Sequence, residues 1–195
     1  MTRTLDSMRE TAEEQALVRR ARSGDRDAFD ALVRIHFKPV YALLHRMIAS
    51  HEDAEDLAQE CFVRAWRALP HYRAESTFST WLARIALNLG QDHRRAGAGT
   101  AGRAPMVTDS EHPAPGPSPA EALTLFELAR EVARALERLP ARLRAAIVLR
   151  VVEGREYDEV AEITGVKPST ARMHVMQARR LLLRRLGAWL GEGAR

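Results

Sequence analysis

The segment "STARMHVMQARR", residues 169–180, carries side chains that could read a nucleic-acid duplex. If Val175, Ala178, Leu182 and Leu186 line one side of a helix, the other side presents Ser169, Thr170, Arg172, Met173, His174, Gln177, Arg179 and Arg180. Such a face fits a major groove, with its N-terminal residues at base edges and its Arg residues at base edges or phosphates. A second group suits unpaired bases. Tyr72, Arg73, Ser76 and Thr77 stand in a loop, where side chains are free to meet a ligand. The helix that follows ends in Arg94 and Arg95, and aromatic and Arg side chains together favour single strands. Asn88 is an amide on that otherwise apolar helix; it offers a polar contact, a local cap or a satisfied buried amide. Phe78 and Trp81 read as core. A third group, Asp53, Glu55, Asp56, Gln59 and Glu60, makes an acidic face that is either solvated or a dock for a basic partner.

Other chemistries find little support. His45 and His51 are six residues apart, and "HEDAE" lacks the second His of a zinc-protease motif, so no metal site is expected. There is no Gly-rich phosphate loop, nucleophile elbow or catalytic dyad, so neither a cofactor nor covalent catalysis is expected. The lone Cys61 falls in an apolar-periodic stretch and reads as a buried structural thiol.

The elements that position these groups are helical. Residues 13–23 predict a short helix ended by Gly24. "DRDAFDALVRIHFKPVYALLHRMIAS" predicts a second, bent or interrupted at Pro39. "HEDAEDLAQECFVRAWRAL" is a third, with Leu57, Cys61, Ala65 and Leu69 at spacing four. Its acid-rich first turn suits a helix N-terminus. From Phe78 a fourth repeats Trp81, Leu82, Ile85, Ala86 and Leu89 at three and four, and Ser76 or Thr77 can cap it. Residues 120–138 form another helix, and "LPARLRAAIVLRVVEG" one more that stops at Gly154. The last unit has helix-turn-helix proportions: a short helix, a turn at Thr164, Gly165 and Val166, and a long helix opening at Pro168, Ser169 and Thr170.

Between the two helical groups, residues 96–120 hold four Gly and five Pro in 25 positions and almost no large apolar side chain. This composition predicts a flexible linker that, fully extended, spans about 80 Å. The fold class is therefore all-α: two helical domains, residues 13–95 and 121–188, joined by a Gly/Pro-rich linker, the second ending in the helix-turn-helix. The chain has 195 residues, a net charge of +4 and a pI near 9.8. The distribution is more telling than the sum: six basic residues and no acid from Lys167 to Arg185, five acids and no base from Glu52 to Glu60. No apolar run is long enough to span a bilayer, and the N-terminus lacks the apolar core of a signal peptide, so the cytoplasm is the expected compartment.

Three stretches taken in order, "DAEDLAQECFVRAWRAL", "FSTWLARIALNLGQDHRR" and "ALERLPARLRAAIVLRVVEGREYDEVAEITGVKPSTARMHVMQARRLL", resemble a bacterial extracytoplasmic-function sigma factor of the sigma-70 superfamily. The resemblance covers roughly residues 14–187. It implies an initiation factor that binds core RNA polymerase, through the β′ clamp helices and the β subunit, and is usually held inactive by an anti-sigma factor. On that likeness Asp53, Glu55, Asp56, Gln59 and Glu60 face the clamp. The stretch Tyr72 to Arg95, with Arg73, Ser76, Thr77, Asn88 and Arg94, recognises and opens the −10 element. The helix-turn-helix reads the −35 duplex with Ser169, Thr170, Arg172, His174, Gln177, Arg179 and Arg180. Where family members commonly carry a run like "GTVKSR", this chain has "STARMH", so either its −35 sequence differs or it leans on phosphates through its Arg residues. A stand-alone helix-turn-helix regulator would explain only residues 155–187, and a helical adaptor would predict no salt-dependent affinity for DNA.

Overall fold

The computed structural model describes residues 2–48, 50–96 and 119–192, with side chains described for 12–48, 50–96 and 126–187. Of the expected linker, residues 96–120, Ala96 instead ends one helix and Pro119 and Ala120 open the next; the rest, residues 97–118, lies outside the described residues. Eight α-helices and no strand occur among the described residues: α1 (Thr2–Arg22), α2 (Arg26–Ile48), α3 (His51–Ala68), α4 (Phe78–Ala96), α5 (Pro119–Glu137), α6 (Ala141–Ile147), α7 (Tyr157–Thr164) and α8 (Pro168–Glu192). The all-α expectation holds.

Helices α2, α3 and α4 pack on one another, and α1 lies across α2. The inner face of α3 is built from Ala54, Ala58, Cys61 and Ala65, all fully buried. Small side chains there let Leu32, Leu44 and Met47 of α2 and Leu82 of α4 close over the core. Gly90 serves the same closeness: a Cβ on it would sit 3.4 Å from Leu44 Cδ2. The Cys61 thiol is pushed up to about 12, chiefly by burial, with Glu60 adding to the shift and Arg64 opposing it. It is a packing group, as its sequence context suggests.

Two boundaries differ from expectation. α1 begins at Thr2, since neither Gly nor Pro interrupts residues 2–22. α2 runs unbroken through Pro39. A proline removes the hydrogen bond to the carbonyl four residues back. Here that residue is Ile35, half exposed, where water can take the carbonyl.

In the second group, α6 does not run straight to Gly154. It passes into a π-helical turn, Val148–Val152, closed by the Glu153 amide donating to the Val148 carbonyl at 3.0 Å. α7 ends on Gly165, at φ +69°, which only glycine adopts without strain. The Val166 amide donates to Ala161 O at 3.0 Å and the Gly165 amide to Glu162 O at 3.4 Å, a Schellman stop that sets the turn into α8.

One side chain ties the groups together. Arg144, 2% exposed, donates to the carbonyls of Leu136 (2.7 Å), Glu137 and Leu139 (3.4 Å), which close the end of α5. Its Nη1 also reaches Met47 O, 2.7 Å away at the end of α2. A single guanidinium thus caps two helix C-termini, where carbonyls lack intrahelical donors and the helix dipole favours a cation. Burial pulls its pKa down to about 10, with Arg94 adding to the shift and Glu137 opposing it, so it stays charged at neutral pH.

Candidate nucleic-acid interface

On α8 the exposed face carries Ser169, Arg172, Met173, Gln177, Arg179 and Arg180, with Thr170 half-buried beside them. Arg172 is positioned: its guanidinium carbon lies 5.0 Å from the Tyr157 ring centroid, and Arg150 lies 4.8 Å from the same ring. His174 departs from expectation. It is 8% exposed, on the inner stripe formed by Ala171, Val175 and Ala178. Three residues after 171 and four before 178, it follows the buried period and not the outer one. Burial, then repulsion from Arg142, lowers its pKa, so the ring is neutral at pH 7 and bears no charge for a phosphate. Its expected place on the DNA-facing side is corrected to packing.

The loop before α4 also divides. Thr77 caps the helix, its Oγ1 accepting from the Thr80 amide at 3.2 Å. Arg73 is 83% exposed, Thr77 is exposed and Ser76 is half-buried. Tyr72 is not free in this loop, contrary to expectation. It is 6% exposed, donates its hydroxyl to Ser76 O, and packs 4.9 Å from Trp81 and 6.1 Å from Phe78, centroid to centroid. With its polar tip satisfied by the loop's own backbone, the ring folds under the loop as part of the core. Phe78 is buried and Trp81 half-buried, in keeping with their core reading. Asn88 is exposed, which excludes the buried amide. Arg95 is exposed beside Asp92, while Arg94 is half-buried near Arg144.

Acids line the solvent side of α3. Glu55, Asp56 and Gln59 are exposed and Glu60 pairs with Arg64 at 2.8 Å. Asp53 is part of the helix start: its amide is capped by Ser50 Oγ at 3.3 Å, and its carboxylate meets His93 at 3.5 Å.

The spacing of residues did not reveal that α7 packs on α4. Arg84 donates two hydrogen bonds to Glu162 O, at 3.1 and 2.8 Å, and faces the Glu162 carboxylate at 3.4 Å. Thr80 donates to Glu159 Oε1 at 3.4 Å, Arg155 bridges Glu159 (3.0 Å) and Ser79 (3.2 Å), and Arg46 meets Glu153 at 3.2 Å. Burial raises the Glu159 carboxyl, but the Glu156 amide, Arg155 and Thr80 outweigh it and hold the group below its usual value. Arg84 is one helical turn from Asn88, so the short helix of the helix-turn-helix sits over the start of α4. Replacing Arg84 by Glu is expected to open this contact. Loss of a charged donor costs about 1.5 kcal/mol, the low end for a side chain 44% exposed, or roughly tenfold in the docking equilibrium. Distance measurement by fluorescence transfer between dyes on α3 and α8 reads it directly; an unchanged distance distribution would show that Arg84 does not hold the halves together.

The family comparisons match this arrangement. Residues 32–100 match the model of sigma-70 region 2, and residues 129–182 that of sigma-70 region 4. The RNA polymerase sigma-H factor of Pseudomonas aeruginosa is 33% identical over 191 residues, covering 92% of this chain and 97% of that protein. The ECF RNA polymerase sigma-E factor of Escherichia coli K12 is 36% identical over 183 residues, covering 88% and 93%. Among solved structures, CnrH in complex with the cytosolic domain of CnrY superposes with a TM-score of 0.68 at 27% identity, covering 90% of this chain and 98% of that one. A region 2 helical module followed by a region 4 helix-turn-helix defines a sigma-70-type factor. The chain belongs to its extracytoplasmic-function branch, the ECF RNA polymerase sigma factors, and it acts in the initiation of transcription. No helix among the described residues is long and apolar enough to cross a membrane.

Proposed function

We propose that residues 13–95 act as region 2 and residues 121–188 as region 4, with each of the three residue groups taking one task. The exposed acids of α3 meet the basic β′ clamp helices of core polymerase. The loop at 73–77, with Asn88, Arg94 and Arg95 of α4, takes the melted −10 strand. The exposed face of α8 enters the major groove at −35, through Ser169, Thr170, Arg172, Gln177, Arg179 and Arg180. The protein does no covalent chemistry of its own; it works in the cytoplasm, lends promoter specificity and helps to open the duplex. The observation that carries this reading is the acid-free cationic face on the second helix of a glycine-stopped helix-turn-helix.

Opening has an energetic requirement. Extruding a base costs a few kcal/mol, and stacking returns about 1–3 kcal/mol per base, so the loop alone roughly breaks even and polymerase docking supplies the rest. An anti-sigma factor would act by covering these surfaces. The solved relative CnrH, held by the cytosolic domain of CnrY, supports expecting such a partner here.

In vitro transcription with core polymerase and genomic DNA, followed by mapping of transcript starts, tests the whole reading. Starts that share a two-part upstream motif are expected. Specific binding to duplex without polymerase, and no specific starts, would favour a stand-alone regulator.

The docking face has its own test. Asp53 is a poor site for it, since reversing a charge in the first turn of α3 also opposes the helix dipole. Changing Glu55 and Asp56 together to Lys is expected to weaken core binding about tenfold while stability stays within about 0.5 kcal/mol. Competition with the unaltered factor for core polymerase measures it. Equal competition would remove α3 from the docking surface.

A further inference from the structure

The loop that precedes α4 does not stand alone. It faces α1 across a cavity of about 600 Å³, within the usual range for a small-ligand site. One wall is the loop, with Ala74, Ser76 and Thr77 over Tyr72 and Phe78. The other wall is α1, which contributes Glu14, Gln15 and Val18, with Arg19 and Arg22 exposed at the rim. Ala74 is held at φ +56°, a left-handed conformation unfavourable for a residue with a Cβ, and such strain marks ligand clamps.

The polar side of the cavity is fixed. Glu14 Oε1 accepts a hydrogen bond from His36 Nε2 at 3.0 Å, and the His36 ring packs 5.3 Å from Phe78. The carboxylate is therefore oriented from beneath by a buried ring, and a carboxylate has a second oxygen. An ionised carboxylate accepts hydrogen bonds and cannot donate them. Adenine, cytosine and guanine each carry an exocyclic amine, whereas thymine carries none. The floor is apolar, the reading group is an acceptor, and the rim is cationic, which together fit a flipped base with its phosphates on the arginines.

We propose that α1 is the second wall of the −10 base pocket, with Glu14 selecting a base that bears an exocyclic amine and rejecting thymine, and Arg19 and Arg22 holding the adjoining phosphates. This inference rests on reading the loop at 73–77 as the site of an unstacked base.

The test uses holoenzyme assembled from the full chain and core polymerase. A pool of random 12-nucleotide single-stranded DNA is selected on it, and core polymerase alone gives the background. The unaltered factor is expected to exclude thymine about tenfold at one position. Glu14→Gln keeps an acceptor for His36 but adds an amide donor, so it should admit thymine at that position and leave the others unchanged. Arg19→Ala with Arg22→Ala should weaken binding to all sequences and reduce the salt slope by about 1.4. A second readout leaves the protein intact: a selected probe stripped only of that amine (purine for adenine, 2-pyrimidinone for cytosine, inosine for guanine) should bind about tenfold more weakly.

Identical base frequencies for the Glu14→Gln and unaltered factors, or full affinity for the amine-free probe, would overturn the role of Glu14. If Arg73→Ala with Thr77→Ala alters the profile and Glu14→Gln does not, the loop pocket stands and the α1 wall fails. If the unaltered factor shows no preference at any position, both fail.

Discussion

Replacing Arg144 by Leu is expected to destabilise the protein by about 3 kcal/mol. Its guanidinium serves four carbonyls, of Met47, Leu136, Glu137 and Leu139, at the ends of two helices from different halves of the chain. A buried carbonyl left without a donor costs about 1–3 kcal/mol. Removing the guanidinium also removes its own desolvation penalty, which offsets part of that loss. At about 2–4 °C per kcal/mol for a chain of this size, the melting temperature should fall by roughly 6–12 °C. Arg144→Lys should recover only part, because one ammonium cannot reach four oxygens that a planar fork spans. Thermal unfolding followed by circular dichroism measures both. A loss below about 1 kcal/mol for the Leu variant would mean that the helix ends find other donors, and the capping account would be wrong.

Changing Arg172 and Arg179 to Ala is expected to produce the largest functional loss. Both are exposed on the outer face of α8, and Arg172 is held over Tyr157. A base-edge contact is worth about 1–3 kcal/mol, so the double variant should bind the −35 duplex at least ~30-fold more weakly. The salt dependence separates two modes of action. If these arginines hold phosphates, the loss falls on all sequences and the slope drops by about one per residue; if they read bases, the loss concentrates on the cognate duplex. Fluorescence anisotropy with a −35 duplex taken from mapped starts gives both quantities. Unchanged affinity would show that α8 presents a different face.

The helices were legible because their signals are local and redundant. Gly165, the Ser169–Thr170 entry and the apolar period of α8 place the helix-turn-helix without reference to anything distant. The inner faces of α3 and α4 were legible for the same reason. At Pro39 a bend or an interruption was expected and the helix is not interrupted, because propensity says what a proline removes and not whether water can replace it. His174 was misplaced because its residue type outweighed its position, although the period through Ala171 and Ala178 put it inside. Tyr72 was misplaced because a loop was taken to be open, and no pattern announces that a hydroxyl will bond to a carbonyl four residues on. Arg84 and Arg144 lay beyond reach for a further reason. Their partners are backbone carbonyls 78 and 97 positions away, and every residue type has a carbonyl.

The seating of α7 on α4 has a consequence on the scale of the promoter. On the proposed reading α8 holds a −35 duplex and α4 a −10 strand, elements whose nominal positions lie about 25 base pairs apart, or about 85 Å of straight duplex at about 3.4 Å per pair. With α7 seated on α4, the two halves cannot move apart along that span. The 22 residues from 97 to 118, between the end of α4 and the start of α5, have a contour of about 75 Å, so the halves can move apart once Arg84 releases Glu162 and Arg144 releases Met47. A partner that requires the separated form meets only the fraction of molecules that are separated. If that fraction is one in a hundred, apparent affinity falls a hundredfold with no contact to the partner altered. Substitutions at this seam are therefore expected to tune promoter occupancy without altering the groups proposed to face DNA and polymerase.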